Sequence, residues 1–267
     1  MKKTVNSKKY NRYYFLKDCD GGDFWQQSFG KKLNPRLLYA WRLAQVKEKE
    51  NVLDFGCGRG EILVQTSKIK AKAFGVDYSS WAIKLSKESL AKNRLRAEVL
   101  KIKDQGLPFK DNFFDVVFLL DVVEHLYPQE LKKTLIEIKR VLKPQGRLII
   151  HTGPNKEYLE IGYKYFSRYL NFLASKIIWE PFFKTKLIYT KDPRNKSEKD
   201  LHVNEQTVNI LKEELKRVGF KDINIWLDSN FRKVKLGYWF LFIFLQPTWL
   251  PKAGKYFALD IWAKIKK

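Results

Sequence analysis

Three glycines at alternate positions punctuate the segment Val52-Leu53-Asp54-Phe55-Gly56-Cys57-Gly58-Arg59-Gly60-Glu61. An apolar run precedes them and a helix-compatible run follows, so the segment reads as a strand, a turn and a helix start. Glycine there lets the backbone turn sharply and lets a ligand approach the main chain. The spacing is G-x-G-x-G, not the G-x-G-x-x-G of the dinucleotide fingerprint. Asp54, two positions before the first glycine, suits a cationic ligand better than a pyrophosphate. A second acid closes Gly75-Val76-Asp77 ahead of Tyr78 and Ser79, and its two oxygens can accept both hydroxyls of a ribose. A third, Asp104, lies in Lys103-Asp104-Gln105-Gly106-Leu107-Pro108-Phe109, where it can accept a hydrogen bond from an adenine amino group. Each has a plainer reading alone: a turn, a helix start, a loop acid. Their joint order is far more specific than any one of them.

A nucleoside bearing a sulfonium and an amino group, S-adenosylmethionine, meets all three demands. The expected cofactor contacts are Asp54, Gly56, Cys57, Gly58, Gly60, Asp77, Tyr78, Asp104 and Gln105. Methyl transfer from a sulfonium is a direct displacement, so catalysis is mostly alignment of the acceptor. An oxygen or carbon acceptor also needs a base for its proton. The histidines are His125, His151 and His202. His151 ends an apolar strand, on the rim where open α/β sheets bind ligands. His202 lies in His202-Val203-Asn204-Glu205, just before a helix. These two are the candidates for base or acceptor contact. The plainer reading of His202 is a helix-start residue beside an Asn204 cap. His125 reads as structural, packed behind a strand. Cys19 and Cys57 are far apart, so neither a disulfide framework nor a metal site is expected.

Around these residues the apolar pattern changes along the chain. Residues 1–45 read as a helical cap, with Asn34 as N-cap, Pro35 at the first helical position, and Leu37, Leu38, Trp41 and Ala44 at helical spacing. From residue 46 onward short apolar strands alternate with amphipathic helices. Strands are expected at 51–55, 71–76, 95–102, 115–120, 147–151, 221–226 and 258–265. The run at 115–120 is apolar throughout, as a parallel strand covered on both faces should be. Leu131, Leu135, Ile138 and Leu142 mark one helical face, and Pro144-Gln145-Gly146 is expected to break that helix. Val208, Leu211, Leu215 and Val218 mark another, stopped by Gly219. The alternation argues for βαβ units and a doubly wound, mostly parallel sheet. Two aromatic, basic insertions, 154–203 and 230–255, interrupt it on the expected acceptor side.

The order of motifs resembles the class I S-adenosylmethionine-dependent methyltransferases of the type 11 methyltransferase-domain family. The residues carrying the resemblance run from Asp54 to Gly60, then Asp77, then Asp104 with Leu107-Pro108-Phe109. Further on come Phe114-Asp115-Val116-Val117, Glu124-His125-Leu126 and Leu142-Lys143-Pro144-Gln145-Gly146. It is close over about 45–155 and looser over 201–227. The resemblance implies a Rossmann-like, seven-stranded sheet with a reversed final strand. It places the methionine part of the cofactor on the glycine loop, the ribose on Asp77 and the adenine on Asp104, with Asp121 lining the same pocket.

Composition bounds the partners. Fifty-two Lys and Arg against 29 Asp and Glu give a formal charge of +23, which favours polyanions or anionic membrane surfaces. A lysine-rich, merely soluble surface is the plainer account. The start of the chain lacks the apolar core of a signal peptide, and no run reaches the ~20 apolar residues of a membrane span. A cytoplasmic location is expected, with peripheral contact at the inner face of the membrane. The apolar run 236–245 with its basic rim suits a membrane interface, a core cover or a dimer face. The expected enzyme therefore methylates a small, lipid-linked or cell-envelope acceptor, at oxygen before nitrogen or carbon. An RNA or other nucleic-acid methyltransferase is the second reading. Asp121-Val122-Val123-Glu124 lacks the Asn/Asp-Pro-Pro-aromatic loop of base amino-group methyltransferases, and Cys57 sits in the cofactor loop. The third reading is a non-catalytic, membrane-associated binding protein.

Overall fold

The computed structural model describes residues 5–103, 106–228, 248 and 252–267. Seven strands are formed: β1 (Asn51–Phe55), β2 (Lys72–Asp77), β3 (Glu98–Lys101), β4 (Phe114–Leu120), β5 (Leu142–Thr152), β6 (Asp222–Leu227) and β7 (Ile261–Lys266). They pair in the order β3-β2-β1-β4-β5-β7-β6. β7 runs antiparallel to both β5 and β6; the other pairings are parallel. The order reverses between β1 and β4, and such a switch point opens a crevice at the carboxyl ends of the strands.

Alternation along each strand feeds both faces of the sheet. In β4, Val117 and Leu119 join a core with Leu131, Leu135 and Ile138 of α5 (Pro128–Val141) and Leu211 and Leu215 of α9 (Val208–Val218). Val116 and Phe118 point the other way, into a core with Ala40 and Ala44 of α2 (Pro35–Ala44) and with Trp262. Each fully buried Leu or Ile contributes about 1.5–3 kcal/mol, so a helix with three such residues is held by its face more than by propensity. The helix ends follow local chemistry. Asn34 accepts the Leu37 N–H at 2.8 Å, and Pro35 opens α2. Gly219 closes α9 at φ 90°.

Several element ends depart from expectation, the last strand starting at Ile261 instead of residue 258. β3 is confined to four residues, because Leu95 N–H returns to Leu90 O to close α4 (Ser80–Lys92). β5 starts at Leu142, so Pro144-Gln145-Gly146 does not separate helix from strand. It forms an irregularity within the strand, where pairing jumps from Phe114–Leu142 to Val116–Arg147. Thr207, not Asn204, caps the helix after His202, accepting the Ile210 N–H at 3.1 Å. The described part of the amino-terminal cap contains α1 (Gly22–Ser28), α2 and short helical turns. Most of insertion 154–203 is one helical arm: a wide-turned stretch (Tyr158–Ser167), α6 (Arg168–Ala174), a second wide turn (Ser175–Trp179) and α7 (Glu180–Phe183). α8 (Lys196–Leu201) returns the chain to the sheet. The 236–245 run, Asp104 and Gln105 lie outside the described residues.

Candidate active site

The glycine loop leaves β1 at the switch point. Gly56, Gly58 and Gly60 take φ of 79°, 48° and 79°, backbone that favours glycine. At Gly60 a Cβ would lie 2.9 Å from Ser86 Cα, so this residue seats α3 (Glu61–Lys68) against α4. At Gly58 a Cβ would make only ordinary contacts, with the Phe15 ring at 3.6 Å and the Gly56 carbonyl oxygen at 3.9 Å. Asp77 ends the neighbouring strand. Its Oδ2 accepts the Gly58 N–H at 3.1 Å and its Oδ1 the Ser79 N–H at 2.8 Å. Each oxygen keeps lone-pair capacity for a hydroxyl.

Asp54, Gly56, Cys57, Gly58, Asp77, Tyr78 and Asp121 line one cleft at this edge, with Ile102 just past β3. Gly60 is not on its wall. Burial pushes the Asp54 carboxyl well above the usual range, and Glu61 and Asp77 add to the push. Burial likewise raises Asp77 to about 6, against the lowering effect of its backbone hydrogen bonds. Crowded acids of this kind favour a cationic ligand. A sulfonium nucleoside fits the donor set: a carboxylate for the ribose, main chain for the amino-acid part, and surplus negative charge.

Four residues without an assignment from sequence complete the cleft. Tyr10, Tyr14 and Phe15 of the cap form one wall. Arg59, buried among carbonyls, pairs with Glu61 at 2.7 Å and donates to the main-chain oxygens of Phe15 (2.5 Å) and Asp20 (2.7 Å). That arginine ties the cap to the glycine loop. A basic residue inside a glycine turn was the available signal.

Asp121, just past β4, stands between this cleft and a second cavity. Arg36 of α2 pairs with its Oδ2 at 2.9 Å, and His151 Nδ1 meets its Oδ1 at 2.5 Å. The other His151 nitrogen faces Asp260 at 3.2 Å. Burial alone would lower the His151 imidazole; Asp121 and Asp260 overcome it and lift it to about 9. Burial alone would raise Asp121, but Arg36 and His151 hold it well below the usual carboxylate range. His151 is therefore a buried imidazolium with both nitrogens engaged.

The second cavity measures about 990 Å³ and shares Tyr14, Cys19, Arg36, Asp121 and His125 with the cleft. The 154–203 arm supplies one side through Tyr158, Tyr163, Asn171 and Ile188. Acidic groups outnumber cations on its walls: Asp18, Asp20, Asp23, Asp121, Glu124, Glu198 and Asp260 against Lys17, Arg36, Arg194 and the His151 imidazolium. Glu124, His125 and His202 stand together on its wall. His125 is not packed behind a strand: it sits on a short turn after β4, its ring 4.8 Å from that of His202. Burial lowers His125 to about 4 and His202 to about 3, the latter helped by His125 and Arg194, so both rings are neutral near pH 7. Burial and then Asp121 raise Glu124 to about 8.

A reversed seventh strand, a glycine loop at the switch point and an acid ending the second strand define a Rossmann-like class I methyltransferase domain. Residues 53–150, a little over a third of the chain, match the family model described as a methyltransferase domain, of type 11. The sterol 4-C-methyltransferase strm-1 of Caenorhabditis elegans is 30% identical over 128 residues, 46% of this chain and 38% of that protein. The probable tRNA methyltransferase 9B of Mus musculus is 33% identical over 101 residues, 38% of this chain and 21% of that protein. The chain thus spans well under half the length of these relatives. The structure of a Haemonchus contortus phosphoethanolamine N-methyltransferase 2 in complex with S-adenosyl-L-methionine superposes with a TM-score of 0.59. It shares 20% identity, over 96% of this chain and 60% of that one.

Proposed function

We propose that the chain transfers a methyl group from S-adenosylmethionine to an acceptor held in the 990 Å³ cavity. One observation carries this: the cofactor cleft and the cavity share the walls Arg36, Asp121 and His125. The two spaces therefore adjoin across these side chains, which puts cofactor and acceptor in neighbouring compartments. The bound cofactor supplies the methyl group. The chain's own residues do the rest. Asp77 and the glycine loop fix the nucleoside, and Asp54 offers negative charge to the amino-acid end. The Arg36–Asp121–His151 chain stiffens the wall between the two spaces. Glu124 and His202 line the cavity and are placed to meet the acceptor. His151, held from both sides, acts through Asp121 rather than as a base.

The acceptor is small, or the exposed end of a lipid-linked or envelope molecule, methylated at oxygen at a membrane surface. The arm that walls the cavity supports this. Ile177 is 65% exposed, Phe182 76%, and Tyr165, Phe166, Tyr169 and Leu173 are all above half. Lys164, Lys176, Lys184 and Lys186 stand exposed among them. Aromatic and aliphatic groups with a basic rim suit the boundary of an anionic bilayer. No helix among the described residues is long and apolar enough to cross a membrane. The nucleic-acid reading draws on the +23 charge. The acidic cavity walls disfavour a phosphate chain inside, which puts it second.

Calorimetry with S-adenosylmethionine tests the core of the reading. The wild type should bind and Gly58→Arg should not; because Gly58 takes φ 48°, a cooperative unfolding transition of the variant is the control for folding. His202→Ala should lower turnover at least tenfold, about 1.4 kcal/mol, and cofactor affinity less than twofold. A folded wild type that ignores the cofactor removes the enzyme.

A further inference from the structure

On the wall of the acceptor cavity, Glu124, His125 and His202 each present one ligating atom, and those atoms lie within 4.8 Å of one another. We propose that these three side chains hold a divalent transition-metal ion of the zinc class, facing the acceptor. The inference rests on the cavity being the acceptor site.

The geometry carries it in three ways. Two imidazoles and one carboxylate form a ligand set found at catalytic zinc, where a fourth position stays open. Ligands about 2.0–2.1 Å from a tetrahedral ion sit roughly 3.4 Å apart, so small side-chain rotations close the site. The supporting contacts orient two of the ligands. His125 Nδ1 lies 3.3 Å from the Leu201 carbonyl, which can only accept, so the proton is on Nδ1 and the Nε2 lone pair is free. A Glu124 carboxylate oxygen accepts the Thr152 hydroxyl at 2.8 Å. At the third ligand the chain leaves an unmet demand: His202 Nδ1 is buried with no hydrogen-bond partner. A buried, unpaired nitrogen costs free energy that a nearby cation changes. The sequence offered no such expectation, because His202 stands 77 positions beyond His125 and only the fold of the 154–203 arm brings them together.

A cation here gives an acceptor hydroxyl a place to bind and lowers its pKa. The hydroxyl proton then leaves to solvent through the cavity mouth. The oxygen–methyl bond forms as the sulfur–methyl bond breaks, and that electron pair stays on sulfur. No electron is gained or lost overall.

The test uses tag-free, full-length protein, stripped with a chelator and dialysed. Zinc chloride is titrated by calorimetry, and cobalt chloride is followed by its visible absorption. The wild type should take up one equivalent of zinc with micromolar or tighter affinity and show an intense low-coordinate cobalt spectrum. His202→Ala and Glu124→Gln should each weaken zinc at least thirtyfold and lose the cobalt bands, with S-adenosylmethionine affinity unchanged as proof of folding. A wild type that binds S-adenosylmethionine but no zinc overturns the site and leaves the methyltransferase reading standing. Zinc binding undiminished in both variants also overturns it. Lost S-adenosylmethionine binding in the wild type sinks the reading beneath it instead.

Discussion

At the scale of single residues, Asp77 has two opposed duties. Its carboxyl is raised from 3.8 to about 6, chiefly by burial. The folded, ligand-free protein therefore binds a proton there more tightly than the unfolded chain, and loses stability as pH rises from about 4 to 6. Ribose hydroxyls favour the ionised form, so cofactor affinity should climb over the same interval and level off above it. Asp77→Asn keeps only one of the two N–H acceptors, and should weaken the cofactor at least tenfold and flatten the pH profile of binding. Calorimetry from about pH 5 to 8 checks this, and a flat wild-type profile contradicts it. His151 works with the opposite sign. Its imidazole is raised from 6.5 to about 9, so its charged form stabilises the fold fully below pH 6.5 and loses that contribution as pH passes about 9. The contribution is at most about 3 kcal/mol. Denaturant unfolding should show a decline toward pH 9 that His151→Gln abolishes; a decline retained in the variant assigns it elsewhere.

At the scale of elements, the amino-terminal cap is a working part of the cofactor cleft. Arg59 reaches out of the glycine loop to the carbonyls of Phe15 and Asp20, while Trp25 of α1 donates to Ser89 Oγ at 2.7 Å on α4. Arg59→Ala leaves Glu61 and those carbonyls without their partner, a loss of about 3–5 kcal/mol for a buried pair. The expected result is early proteolysis within residues 5–30 and weaker cofactor binding, with the sheet still cooperative on heating. Arg59→Lys should rescue little, because one ammonium cannot replace a forked donor. Unchanged proteolysis would mean that the cap is held by its apolar cluster alone.

At the scale of the whole molecule, charge and shape diverge. The chain carries +23 overall, yet acidic groups outnumber basic ones on the walls of the 990 Å³ cavity. The basic surface thus acts outside the site, over distances of about 8–10 Å at physiological salt. With the exposed arm it predicts co-sedimentation with anionic vesicles, weakening as salt rises and absent for neutral ones. Ile177→Ser with Phe182→Ser should cut that binding at least fivefold and leave cofactor affinity intact. Equal binding of the double variant would locate the contact on another surface.

The strands, the glycine loop, Asp77 and the cap of α2 were legible from sequence because each depends on neighbours within a few residues: period-two burial, positive φ, an N-cap oxygen. Element ends were less so, as at Pro144-Gln145-Gly146, where pairing with β4 carries the chain on as strand. What only the tertiary structure decided is which distant groups meet. Arg36 finds Asp121, His151 lies between Asp121 and Asp260, and Glu124 and His125 come beside His202. Those pairings depend on strand order and on the path of the arm across the sheet edge. No local periodicity records either.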